Sequence, residues 1–160
     1  MASPIGRLEL VEAGGALVGI HFDAPADGSP QHERGGSALL AQARHQLLAY
    51  FAGELRVFDL PLRPAGTDFQ RRVWDVLATV PWGTTTTYGA IAARLGLPPG
   101  ASRAVGAANG ANPLPVVLPC HRVVGSDGTL TGYAGGLERK AALLRLEHVP
   151  TEADQASLFD

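Results

Sequence analysis

From Ile5 to Phe22 the chain alternates around a double glycine. Leu8 and Leu10 are separated by polar Arg7 and Glu9, and Leu17, Val18, Ile20 and Phe22 follow Gly14-Gly15. Two-residue periodicity on either side of a glycine pair predicts a β-hairpin. Asp23 to Gly36 is rich in Pro, Gly, Asp and Ser and predicts a loop, with His32 and Glu33 solvated. The period then changes. Leu40, Ala43, Leu47 and Tyr50 or Phe51 recur at helical spacing, so Ser37 to Phe51 predicts a helix that Gly53 ends. Val57 to Leu62 alternates weakly and predicts a last strand, and Arg63 to Gly66, with Pro64 inside, reads as a linker.

The second half opens on Thr67-Asp68-Phe69-Gln70, a capping-box pattern. Phe69, Val73, Leu77 and Val80 give the following helix one apolar stripe, and Pro81-Trp82-Gly83 stops it. Thr84 to Thr87 favour extended structure leading into a second helix start. Tyr88 to Leu95 then forms a short helix with Ile91 and Leu95 inward and Gly96 at its end. After the tight connection Leu97-Pro98-Pro99-Gly100, Ala101 to about Ala108 forms a third helix with Ala101, Val105 and Ala108 on one face. A helix, a tight turn and a helix of small residues outline a helix-turn-helix. Arg103 lies about 200° around that helix from Val105 and points away from the core. Asn109 to Pro113 turns the chain. Val116 to Leu118 predicts a short buried strand between two prolines, and Val123-Val124 re-enters the core. Gly125-Ser126-Asp127-Gly128 is a polar turn, and Gly132 to Gly136 forms a loop. Leu137 to Glu147 predicts a last helix with Leu137, Ala141, Leu143 and Leu144 inside and Glu147 beside the stripe. The tail from Pro150 is polar.

The fold class is therefore α+β. A small N-terminal α/β unit with an antiparallel sheet spans residues 1–63, and a mainly helical, winged-helix-like unit with the helix-turn-helix spans 64–160. Composition bounds the rest. A chain of 160 residues that is 46% hydrophobic and 18% charged is an ordinary globular protein. No apolar run is long enough to span a membrane, and no secretion signal is expected. The single cysteine allows no internal disulfide, fits a reducing compartment and excludes cysteine-based zinc clusters. No metal or cofactor is expected. Net charge is −2, which is not the global signature of a nucleic-acid binder. However, Arg71, Arg72, Arg94, Arg103, Arg122, Arg139, Lys140 and Arg145 all follow Asp68, so a local basic face is available.

That single cysteine, Cys120, lies at a stiff bend after Pro119 and directly before His121 and Arg122. A lone cysteine is most often a small buried hydrophobe. Here the adjacent histidine and the later Glu147 favour a nucleophile instead, because a thiol attacks only as thiolate and needs a base or a positive field. Adjacent side chains on an extended segment point to opposite faces, so direct contact between Cys120 and His121 and a bridging water both stand open. Glu147 reads either as an exposed carboxylate at a helix end or as the group that orients the imidazole. Asn112, before Pro113, reads as a turn former.

Pro119-Cys120-His121-Arg122-Val123 resembles the active-site motif of the O6-alkylguanine-DNA alkyltransferases, the methylated-DNA–protein-cysteine methyltransferases. Ser102-Arg103-Ala104-Val105-Gly106, Asn112-Pro113, Gly132-Tyr133-Ala134-Gly135-Gly136-Leu137 and Arg145-Leu146-Glu147 follow in the family's order and at similar spacing. The match is strong from about Gly66 to Glu147 and holds only in outline before it. The resemblance implies stoichiometric, irreversible transfer of the alkyl group from O6-alkylguanine, and by extension O4-alkylthymine, in double-stranded DNA to Cys120. Base flipping is implied because a stacked base cannot meet a buried thiol.

It also implies residue roles. Cys120, His121 and Glu147 would form a relay through water, and Asn112 would brace the segment presenting the cysteine. Arg103 would replace the departed base, and Tyr88 would turn the target's phosphate. Tyr133 would line the base pocket, with Gly135 in the loop that closes over the base. The backbone carbonyls of Cys120 and Val123 would meet the guanine amine, and the Ala134 N–H would meet O6. With no second cysteine to regenerate the thiol, the protein would act once. It would be a cytoplasmic monomer, nucleoid-associated when bound to DNA. Three other readings compete with this one. A non-catalytic lesion binder is opposed by the presence of Cys120. A winged-helix regulator leaves Cys120-His121 and Glu147 unexplained, and a cysteine hydrolase lacks any distinct signal.

Overall fold

The computed structural model describes residues 1–23 and 37–151. Most of the predicted Asp23–Gly36 loop, with His32 and Glu33, and the tail beyond Thr151 lie outside the described residues. The chain divides into two compact units. The first takes Met1–Ala65 together with Pro113–Pro115; the second takes Gly66–Asn112 and the chain from Val116 on.

In the first unit, β1 (Leu8–Ala13) pairs antiparallel with β2 (Ala16–Phe22), Leu10 opposite Ile20. The Gly14-Gly15 turn has both residues at positive φ, +58° and +78°. Such a turn twists with the strands, and only glycine adopts it without cost. A register shift at Val11/Glu12 leaves Val18 without a partner, so Leu17 and Ile20, three residues apart, are both buried. Helix α1 (Ala38–Phe51) covers the hairpin with Leu40, Ala43, Leu47 and Tyr50, all buried. Ser37 caps it by accepting from the Leu40 N–H at 2.9 Å. Past its end, Gly53 takes φ +77°.

The strand expected over Val57–Leu62 does not form. Only a single parallel bridge joins Leu62 to Leu17, with the Leu17 N–H donating to Pro61 O at 2.8 Å. Pro61 and Pro64 carry no N–H, so a ladder cannot continue through them. The Gln46 side chain instead holds Asp59, accepting from its N–H and donating to its carbonyl, each at 2.9 Å.

The second unit is helical. Helix α2 (Asp68–Leu77) starts with the complete capping box: the Gln70 N–H donates to Thr67 Oγ1 at 3.1 Å, and the Thr67 N–H to Gln70 Oε1 at 3.0 Å. Its buried face is wider than the predicted stripe, because Trp74 and Val76 join Val73 and Leu77. Trp74 donates its indole N–H to Ala108 O at 2.8 Å, which joins α2 to helix α4 (Ser102–Gly110). Strand β3 (Thr86–Thr87) runs into α3 (Tyr88–Arg94), and Thr87 serves both, pairing in the ladder and accepting from the Ala90 N–H at 3.0 Å. A short 3-10 turn, Pro99–Ala101, separates α3 from α4 and completes the helix-turn-helix.

The buried strand expected over Val116–Leu118 is a turn. All three residues are buried, but Val116 sits at φ +74°, which breaks the pleat. A β-branched residue avoids that conformation unless its surroundings impose it. The chain then enters a 3-10 turn, Cys120–Arg122, followed by β4 (Val123–Val124), which pairs parallel with β3. Helix α5 (Leu137–Leu146) presents Lys140, Leu143 and Leu144 to the interior, with Glu147 at its C-cap. Leu137, expected inside, is 49% exposed. It occupies the first turn of α5, ahead of the packed face. Among the described residues, no helix is long and apolar enough to cross a membrane.

Gly66 packs against the edge of the Trp74 indole so closely that a Cβ there collides with the ring. Gly66→Val should lower the unfolding free energy by about 1–3 kcal/mol, the usual cost of overpacking. Gly100→Ala, in open space, should change it by less than about 0.5 kcal/mol. Urea denaturation followed by tryptophan fluorescence compares the two.

Candidate active site

Cys120 is buried, with 4% exposure, and opens the 3-10 turn. Its position is fixed twice over. Pro119 limits the backbone before it, and the Cys120 N–H folds back to Leu118 O at 2.7 Å. Asn112 spans the preceding turn, donating from Nδ2 to Leu118 O at 2.8 Å. Burial pushes the Cys120 thiol up to about 11, against the opposite pull of the Asn112 amide, the Lys140 charge and nearby backbone N–H groups. At rest the residue is therefore a thiol.

His121 is fully buried, and its Nε2 lies 2.8 Å from Glu147 Oε2. A carboxylate only accepts, so Nε2 carries the proton. Nδ1 is left as an acceptor and has no hydrogen-bond partner among the described residues. Burial holds the imidazole below its usual pKa, although Glu147 pulls the other way. The ring is thus a neutral base with its lone pair uncommitted. No hydrogen bond joins it directly to the Cys120 sulfur, so a proton passing between them needs an intermediary.

Glu147 is fully buried, so the reading of it as an exposed helix-end carboxylate does not hold. Two partners share it. Besides His121, Arg122 forks onto it, with Nε 2.8 Å from Oε1 and Nη2 2.9 Å from Oε2. The remaining prong, Nη1, donates to Val80 O at 2.6 Å. The carboxylate and guanidinium cancel, which makes a buried pair tolerable. Sequence reasoning placed Arg122 on a basic face and missed this role. The only signal was its position beside the histidine in an otherwise apolar segment.

Lys140 was missed in the same way. Its side chain is wholly buried, and Nζ donates to Val123 O and Thr131 O, each at 2.6 Å, and more weakly to Gly132 O at 3.4 Å. It ties α5 to β4 and to the glycine loop. Burial lowers its pKa to about 8, and the nearby Cys120 partly offsets that. Arg122 and Lys140 therefore do not contribute to a basic surface.

A cavity of about 490 Å³ opens beside this cluster, between α4, the start of α3 and the glycine loop. Tyr88, Arg103, Gly106, Gly110, Tyr133 and Ala134 are among its lining. Arg103 is exposed on α4, as its phase requires. The Tyr88 hydroxyl exchanges hydrogen bonds with Thr131, donating to its carbonyl at 3.3 Å and accepting from its Oγ1 at 3.1 Å. Burial raises the Tyr133 phenol well above the ordinary tyrosine range, so it stays neutral.

The site residues anticipated from sequence thus fall into two groups. Cys120, His121, Glu147 and Asn112 form the buried cluster, while Tyr88, Arg103, Tyr133 and Ala134 surround the cavity. Val123 and Gly135 do not line the cavity. The Val123 carbonyl is held by Lys140, and the Gly135 carbonyl accepts from Arg139 at 3.1 Å. Among the described residues, no three His, Cys, Asp or Glu side chains gather as a metal site requires.

The chain is similar to known proteins along nearly its whole length. Residues 68–149 match the 6-O-methylguanine DNA methyltransferase DNA-binding domain, and residues 1–64 match the ribonuclease-like domain of the same proteins. The methylated-DNA–protein-cysteine methyltransferase of Mycobacterium tuberculosis H37Rv is 49% identical over 159 residues, covering 99% of this chain and 95% of that protein. The Methanosarcina acetivorans protein of the same name is 57% identical over 106 residues, 66% of this chain and 67% of its own. A crystal structure of Mycobacterium tuberculosis OGT in complex with DNA superposes with a TM-score of 0.82 at 49% identity, covering 100% of this chain and 97% of that one. With both halves matched in order and a curated relative aligned along nearly the whole length, the chain belongs to the 6-O-methylguanine DNA methyltransferase family.

Proposed function

We propose that this chain repairs alkylated double-stranded DNA by taking the alkyl group from O6 of guanine, and from O4 of thymine, onto Cys120. It acts once per molecule, as a cytoplasmic monomer without a cofactor. One observation carries this reading. A lone buried thiol sits on a braced turn, next to a neutral histidine whose Nδ1 lone pair is uncommitted and whose other nitrogen is anchored to a buried carboxylate.

The chemistry follows from those charges. The Cys120 proton passes to His121 Nδ1 through an intervening water as sulfur attacks the alkyl carbon. The new S–C bond forms as the C–O6 bond breaks, and O6 takes the bonding pair. Guanine regains a proton at N1, which balances the one the thiol lost. Glu147 steadies the transient imidazolium, and Asn112 keeps the turn that aims the sulfur. The thioether product has no leaving group of comparable quality, so the protein is consumed.

DNA engagement falls to the cavity wall. The target nucleotide turns out of the stack, assisted by Tyr88 at its phosphate. Arg103, exposed on a helix of small residues that lets DNA approach closely, fills the gap. Tyr133 packs on the base, and the Ala134 N–H meets O6. Gly135 lets the loop close over the base. The Cys120 and Val123 carbonyls accept from the exocyclic amine. Lys140 uses one lone pair of the Val123 carbonyl and leaves the other.

The direct test mixes the protein with a duplex carrying one O6-methylguanine and reads the intact protein mass. A stoichiometric gain of one methyl group, absent in Cys120→Ser, is expected. Tight binding with no mass gain would favour a lesion binder instead. The acid limb of the rate tests the base. Because burial keeps His121 below the ordinary 6.5, the neutral ring persists into mild acid. Single-turnover transfer should hold level from neutral pH down through 6.5 and fall only beneath that. A fall centred above 6.5 would remove His121 as the base. Arg103→Ala should slow transfer from duplex DNA by about 10-fold or more, and slow transfer from a single strand much less, since a single strand has no base-pair gap to fill. Equal slowing on both would assign Arg103 to phosphate attraction alone.

A further inference from the structure

The last turn of α4 holds a polar group that the chemistry above does not use. Asn109 is 3% exposed. Its Nδ2 makes a long hydrogen bond, 3.4 Å, to the carbonyl of Cys120. That carbonyl can only accept, so it fixes which end of the amide is nitrogen. The other end, Oδ1, is buried and has no hydrogen-bond partner among the described residues. A buried amide oxygen left so is uncommon and calls for an explanation, which a donor arriving with a ligand would give. Asn109 lies three residues past Gly106 and one before Gly110, both of which line the cavity. Asn109 is not itself among the lining residues; it is held from behind that stretch of α4 against the Cys120 backbone, which a base must approach for its alkyl carbon to meet the sulfur.

The chemistry of the base then limits the donor. O6-alkylation removes the N1 proton of guanine, so the base keeps one hydrogen-bonding donor, the exocyclic 2-amino group. That amine shares the base edge with O6, which must face the Cys120 sulfur. We infer that Asn109 is a specificity-determining residue: its Oδ1 shares one N–H of the flipped guanine's 2-amino group with the Cys120 carbonyl, in a three-centre hydrogen bond, while the other N–H goes to the Val123 carbonyl. This inference rests on the alkyl-transfer reading above. An O4-alkylthymine has no such amine and gains nothing from Asn109, so this side chain biases the site toward guanine lesions.

The experiment compares wild type, Asn109→Leu and Asn109→Ala on duplexes carrying O6-methylguanine or O6-methylhypoxanthine, which differ only in the 2-amino group. Single-turnover transfer is followed by intact mass, and circular dichroism melts confirm that each variant is folded. Wild type should prefer the guanine lesion. Asn109→Leu should lose about 10-fold on guanine, the worth of one hydrogen bond, and little on hypoxanthine, so that the preference collapses. Asn109→Ala, which cannot overpack, should show the same collapse. Equal losses on both lesions would make Asn109 a structural brace and overturn the inference, as would no loss on either. If wild type alkylates on neither lesion, the functional reading itself fails, and that failure shows without any variant.

Discussion

One buried carboxylate organises the reactive part of this protein. Glu147 closes the last helix with its side chain wholly inside, and an isolated ion there would be very costly. The cost is met by two neighbours in sequence, His121 and Arg122, which reach it from one 3-10 turn. Because both are anchored to the same group, the residue just before them, Cys120, has little freedom in where it stands. Placement of Cys120 is thus a by-product of satisfying a charge.

The arginine does more than neutralise. Burial is the main cause of the lowered His121 pKa, and the Arg122 charge adds to it against the pull of Glu147; an imidazolium could not take a proton from a thiol. With Arg122 forked onto Glu147, burial prevails and the ring stays neutral. Lys140 contributes a second buried cation, held by three backbone carbonyls, and its charge favours thiolate at Cys120. In the proposed reaction, the neutral thiol and imidazole become an ion pair only as transfer proceeds.

What could be read from sequence was mainly local. The glycine-turn hairpin, the Thr67 capping box and the phase that exposes Arg103 each depend on residues a few positions apart. Val116–Leu118 was misread because a short apolar run between prolines looks the same as a buried strand or a buried turn. The positive φ of Val116 is imposed by surroundings that periodicity does not encode. Arg122 and Lys140 were hidden for a different reason. Charged residues are normally solvated, and the partners here include the carbonyls of Val80, Val123 and Thr131, which carry no side-chain signature. Glu147 was ambiguous by spacing and became specific only through the family motif. Asn109, read from sequence as the start of a turn, lies inside α4, where Asn and Gly next to each other resemble a helix end.

The two-rung ladder between β3 and β4 sets a dimension. Thr86 and Thr87 lie opposite Val123 and Val124, with Tyr88 the next residue after one strand and Arg122 the last before the other. These two parallel rungs work as a ruler with the Cys120 turn at one end and the cavity-lining tyrosine at the other. Its length is set by backbone hydrogen bonds, which no side-chain substitution alters directly. Side chains of the cavity wall can therefore change while the span from the Cys120 turn to the Tyr88 backbone stays the same.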